Sequence, residues 1–103
     1  MLIGKATKRP NLVKIRNIKN SLSKALNLTE DEIITVSQLA CLEIDCAPVE
    51  TVFGLLRPGV PQLQFKIHKE IDHINSQDLL NVCIEWGFDV QISTITQFFT
   101  FNQ

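Results

Sequence analysis

Tyrosine is absent from this chain of 103 residues, tryptophan occurs once and cysteine three times. With no tyrosine and a lone Trp86, the basic residues lack the interleaved aromatics on which bases stack, and specific nucleic-acid recognition loses its clearest sequence sign. An odd, low cysteine count argues against a framework of structural disulfides and fits thiols kept reduced. Glycine and proline, four of each, are too few for a disordered or fibrous chain. No apolar run approaches the roughly 20 residues of a membrane-spanning helix. Met1 to Lys5 lack the apolar stretch and small-residue cleavage site of a secretory signal, so the expectation is a cytoplasmic chain with no membrane segment.

Acidic residues are missing from the first 29 positions. Lys5, Lys8, Arg9, Lys14, Arg16, Lys19 and Lys24 are the only charges there, whereas the remainder carries all eleven acids against Arg57, Lys66 and Lys69. A cationic segment thus precedes an acidic body, although the net charge is only -1. Two uses compete for it. The arm docks on its own domain or on a partner subunit, or Lys8, Arg9, Lys14, Arg16 and Lys19 meet the phosphates of nucleic acid. The segment lacks an aromatic anchor for a membrane surface.

What is present is periodic. Leu12, Ile15, Ile18, Leu22 and Ala25 or Leu26 recur every three to four residues, which predicts an amphipathic helix ending near Asn27, its apolar stripe on a sheet and Lys14, Arg16, Lys19 and Lys24 in water. The β-branched run Ile33 to Val36 opens a strand over 33–40 whose apolar residues on both faces suggest a covered, central position. Pro48 suits a first helical position, and Val49, Val52, Phe53 and Leu56 then form the stripe of a short helix stopped by Pro58-Gly59. Leu63, Phe65 and Ile67 alternate with polar residues as a half-buried strand. Ser76 caps a third helix through Trp86 to Gly87, and Phe88, Val90 and Ile92 alternate as a third strand. The sum is an α/β fold in one small domain over residues 1–103. Its order is helix-strand-helix-strand-helix-strand around a mostly parallel sheet, with a right-handed crossover joining the first two strands. Within it, residues 1–27 form a basic arm and helix, 33–95 the α/β core and 96–103 an apolar tail holding Phe98, Phe99 and Phe101.

Cys41 and Cys46 fall between the first strand and the expected second helix, beside a helix N-terminus that favours thiolate. Cys83, His68, His73, Glu43 and Asp45 are the further ligands available to a metal, and Cys41, Cys46 and His68 make the candidate metal or thiol site. Three cysteines cannot complete an iron-sulfur cluster alone, and the four-residue gap is wider than that of common zinc knuckles. A redox pair with Cys46 attacking and Cys41 resolving lacks Cys-x-x-Cys spacing. A Cys46-His68 catalytic pair has no evident orienting residue. Glu50, in the first turn of the expected helix, is accounted for by the dipole. No cofactor is named by these patterns.

The run from Thr35 through Cys41, Cys46 and Pro48 to Val52, followed by Lys66-Ile67-His68-Lys69, resembles a family of uncharacterised, largely cyanobacterial proteins. That family carries a Cys-x4-Cys-x-Pro-x-Glu-Thr motif followed by Ile-His-Lys, and the likeness spans about Lys8 to Asp78. Asp45 and Ala47 stand where the family has glycine and a second proline. More distantly, a strand leading to a Cys-Pro turn is similar to the PaaD-like domain of iron-sulfur assembly factors. That resemblance implies transfer of metals or clusters, with Cys46 in the place of the matching cysteine.

The expected function is a non-enzymatic adaptor or assembly module that meets a protein partner or a second copy of itself around Cys41, Cys46 and His68, with Glu50 and Lys69 on the interaction surface. Two alternatives stand beside it: a nucleic-acid-associated protein using the basic helix, and a thiol redox enzyme.

Overall fold

The computed structural model describes residues 11–40 and 49–99. Their order is α1 (Leu12–Ala25), β1 (Ile33–Ala40), β2 (Val49–Leu56), β3 (Leu63–Ile67), a single 3-10 turn at Ile71–His73, α2 (Ser76–Glu85) and α3 (Ile92–Phe98). The strands form one sheet in the order β1-β2-β3, antiparallel throughout. The mostly parallel sheet in a helix-strand-helix-strand-helix-strand chain is therefore corrected to an antiparallel sheet in an α-β-β-β-α-α chain, in which the strand over 33–40 lies at an edge and not in the centre.

Two elements account for the correction. Residues 49–56 are a strand, because Thr51, Phe53 and Leu55 alternate into the core and all three are fully buried. With 49–56 extended, β1 and β2 pair directly from Ile33↔Leu56 to Ala40↔Val49. Only eight residues separate these ends, too few for a parallel crossover. The expected strand at Phe88 to Ile92 does not form either. Gly87, at φ +90°, reverses the chain after α2, and the Phe88 N–H donates to the Cys83 carbonyl at 2.9 Å while Gly87 N–H donates to Ile84. These are the two bonds of a Schellman motif, so this backbone closes a helix instead of joining a ladder.

Helix α1 ends the same way on Asn27, at φ +55°, with Leu28 N–H donating to Ser23 and Asn27 N–H to Lys24. At its start the Asn11 side chain accepts from the amides of Val13 and Lys14. Its buried face carries the expected stripe at Ile18 and Leu22, with Ile15, Ala25 and Leu26 partly buried against the core, but it departs from that stripe at its start and takes in two polar residues. Lys14, Ile18, Ser21 and Leu22 are buried, whereas Leu12 and Val13 are about two-thirds exposed. Ser21 is tolerated because its hydroxyl donates back to the Asn17 carbonyl at 2.7 Å. Lys14 is tolerated because its stem follows the stripe and its Nζ donates to the Asp72 carbonyl at 2.7 Å.

One apolar core joins these elements. Ile18 and Leu22 of α1, Ile34, Val36, Phe53 and Leu55 of the sheet, Leu79, Val82 and Cys83 of α2, Ile95 of α3 and Phe99 just after it all belong to it. Of the apolar tail, Phe99 folds back into the core, and Phe101 lies outside the described residues. Because α1, α2 and α3 contact one another and the core side chains share one face of the sheet, the helices cover that face. Among the described residues, no element covers the opposite face.

Candidate functional site

The open face is fixed by register. Ile33, Thr35, Ser37 and Leu39 of β1 lie opposite Leu56, Gly54, Val52 and Glu50 of β2, which in turn face Gln64 and Lys66 of β3. Side chains directly opposite across an antiparallel pair share a face. Ile33 and Leu56 therefore form one apolar pair at one end, 53% and 37% exposed. At the other end Leu39, 49% exposed, stands beside Glu50.

Glu50 gathers the charges at that second end. Lys66 Nζ lies 3.8 Å from its Oε2, and His68 Nδ1 lies 3.6 Å from its Oε1. Both distances are those of loose ion pairs, longer than hydrogen bonds, and both basic groups are largely exposed, so they contribute little to stability. The dipole account of Glu50 falls with the helix: its carboxylate sits on a strand between apolar Leu39 and basic Lys66 and His68.

Behind the face, polar ties hold the segment after β3. Thr51 is fully buried and donates its hydroxyl to the Lys69 carbonyl at 2.8 Å. Lys69 Nζ meets both carboxylate oxygens of Asp78, at 2.9 and 3.2 Å. Asp78 closes a reciprocal cap with Asn75, each side chain accepting from the other residue's amide at 3.0 Å. Asn75, not Ser76, is thus the N-cap of α2. Gln38 reaches across from β1 to accept from the Ile71 amide at 2.8 Å. Together these bonds set where His68 emerges. Thr51, Gln38 and Asp78 were not singled out from sequence. The Asn75-x-x-Asp78 spacing was a legible sign of the cap, but the long-range roles of Thr51 and Gln38 have no local one.

The expected site residues therefore divide. Glu50 and His68 come together on the open face. Lys69 faces the other way, with its ammonium on Asp78. Cys41 and Cys46 lie outside the described residues, but the helix N-terminus invoked to lower their pKa is replaced by the start of β2. Cys83 is fully buried in α2, and burial pushes its thiol up to about 11, the opposite of activation. Among the described residues, no group of three or more His, Cys, Asp or Glu side chains is placed to hold a metal ion.

Of the basic residues named for nucleic acid, Lys8 and Arg9 lie outside the described residues, and Arg16 and Lys19 are exposed on α1. Lys14, expected in water, is 3% exposed. Burial pushes its ammonium below the ordinary lysine range against the pull of Asp72 and Asp78. Lys24 stands 6.0 Å from the centre of the Phe98 ring.

A groove of about 330 Å³ lies elsewhere, between the turn before β1 and the turn after β2, lined by Thr29, Asp31, Glu32, Arg57, Pro58 and Val60. It is open to solvent and shares no residue with the Glu50 and His68 corner. No described helix is long and apolar enough to cross a membrane.

No protein-family model matches this chain, and neither curated proteins nor solved structures yield a match. Function is accordingly argued from the site alone.

Proposed function

We propose that this chain is a non-enzymatic protein-binding module of the adaptor or assembly kind, working through the open face of its sheet. The observation that carries the reading is the one-sided cover among the described residues: three helices lie on one face, while on the other Ile33 and Leu56 are exposed at one end and Leu39 at the other end beside Glu50, with Lys66 and His68 next to that carboxylate. Exposed apolar side chains rimmed by charge are the composition of a docking surface. The polar groups behind the sheet favour the same reading, since Thr51, Gln38, Lys69 and Asp78 are engaged in holding the fold and are not aimed into a closed cavity.

A photo-crosslinking residue at Val52, on the open face, compared with one at Asn20, on the outer side of α1, tests this in the native cell. The reading expects one discrete protein adduct at Val52 and none of the same mass at Asn20. Equal adducts at both positions, or none at either, would count against it.

A second reading is transient metal or cluster handling by Cys41 and Cys46. It draws support from Glu50 and His68, a carboxylate and an imidazole 3.6 Å apart at the sheet end where Ala40 and Val49 pair. Those two residues flank the segment holding both cysteines in sequence. Anaerobic purification followed by metal and acid-labile sulfide analysis tests it. Absence of both, with no uptake on reconstitution, removes this reading and leaves the protein-binding one standing.

A further inference from the structure

The sheet has two edges, and they are built differently. Edge β3 is five residues long, carries Lys66 and follows Pro61. Charge, proline and brevity are the usual protections against pairing with another chain. Edge β1 has eight residues, Ile33–Ala40, with no charge, proline or glycine among them. Among the described residues it has a ladder partner on one side only. Each strand residue carries one backbone donor and one acceptor, and alternate residues point them away from β2.

The open-face side chains of β1 match in type about Val36. Ile33 and Leu39, its two well-exposed apolar residues, lie three positions to either side, and Thr35 and Ser37 lie one to either side. A two-fold axis normal to the sheet and midway between Val36 and Val36 of a second copy sets the two β1 strands antiparallel so that Ile33 faces Leu39, Thr35 faces Ser37, and both pairs repeat by symmetry. Odd-numbered residues then meet odd-numbered ones, so the open faces of the two copies are continuous. Pairing centred on Ser37 carries Ile33 beyond the end of the other strand, and pairing centred between residues opposes core side chains to open-face ones.

We propose that this chain forms a two-fold dimer by antiparallel pairing of β1 with β1 of a second copy, in the register set by Val36, giving a continuous six-stranded sheet. The occupant of the edge is a second copy and not an unrelated strand, because the pattern is symmetric about its own centre and carries no charge that would repel itself.

The test uses the whole chain. Light scattering across a concentration series should move the molar mass from 11.7 kDa toward twice that value. Ile33→Glu and Leu39→Lys, each at an exposed site, should each weaken the dimer by about tenfold, since each substitution is counted twice by symmetry. The chain carrying both substitutions faces opposite charges across the axis twice and should recover most of that loss. Hydrogen exchange on the unsubstituted chain supplies an independent readout: outward amides of β1 should slow as concentration rises, and those of β3 should not. A mass fixed at the monomer, insensitivity to both single substitutions, or a double substitution weaker than either single one overturns the proposal.

Discussion

Replacing Lys14 by methionine sets two physical effects against each other at one buried site. The ammonium gains a charge-assisted hydrogen bond to the Asp72 carbonyl, a type worth roughly 1.5–3 kcal/mol. The residue as a whole is 97% covered, and the part of the ammonium's hydration that is lost with it opposes that gain. The direction of its pKa decides between them. The folded protein lowers it, with desolvation outweighing the attraction of Asp72 and Asp78, so the charged form costs more than its partners return. Methionine keeps most of the stem and needs no hydration, and the exposed Asp72 can turn its carbonyl to water. Lys14→Met is therefore expected to leave stability unchanged or raise it by about 1–2 kcal/mol. Lys14→Ala, which removes the same charge but also about three buried methylenes, should fall about 2 kcal/mol below Lys14→Met. Urea denaturation of both variants and the parent supplies the numbers. The sign of the pH effect follows as well. Between the lowered folded pKa and the ordinary value of 10.5, the unfolded chain holds a proton that the folded chain has released, so this residue makes stability rise with pH in that window. The difference between parent and Lys14→Met should show that rise. A loss above about 1.5 kcal/mol for Lys14→Met at neutral pH would refute the reasoning and make the hydrogen bond the larger effect.

Cys83 works in the opposite direction. Its thiol ionises at about 11 in the fold against 9.0 for the free group, so between these values the folded chain keeps a proton the unfolded chain loses, and stability falls by roughly 2–3 kcal/mol relative to a Cys83→Ala variant followed over the same pH range; parallel pH profiles would show the thiol to be unperturbed. Gly54→Ala should cost about 1–3 kcal/mol, because a Cβ there collides with the Thr35 hydroxyl and crowds Gln62 Nε2 at 3.1 Å, and adding Thr35→Ala should recover part of that loss in a double-mutant cycle. Asn27 holds the left-handed position that closes α1, so Asn27→Gly should stabilise by a few tenths of a kcal/mol and Asn27→Ala should destabilise by about 1, as read from thermal melts.

Sequence periodicity served well where one local pattern had one structural meaning. The alternation of Leu63, Phe65 and Ile67, the end of α1 at Asn27 and the stop of α2 at Gly87 all recur in the structure. It misled where a segment satisfied two patterns. Val49, Val52, Phe53 and Leu56 recur at helical spacing, while Thr51, Phe53 and Leu55 recur at strand spacing. The second set wins because β2 pairs with strands on both sides and buries Thr51, Phe53 and Leu55, the Thr51 hydroxyl being satisfied by the Lys69 carbonyl 18 residues away. Likewise Phe88 and Val90 alternate, but the glycine between them and α2 commits the backbone to closing that helix. Of the candidate site, His68 directly follows β3 and is exposed, in step with the alternation of Leu63, Phe65 and Ile67. Its neighbour Glu50 was not legible in this way, because its position depends on β2 being a strand. Lys14 was invisible for a different reason: local pattern ranks a lysine as a solvent residue, and only the third-dimensional approach of Asp72 overrides that rank.

The claim that the uncovered face is the working surface is tested most directly by labelling the isoleucine, leucine and valine methyls of the chain and titrating in the protein captured at Val52. The account predicts resonance shifts concentrated at Ile33, Leu39, Val52 and Leu56, all on the open face. Shifts concentrated instead at Leu12, Val13, Ile84 or Ile92, the exposed apolar residues of the helices, would contradict it.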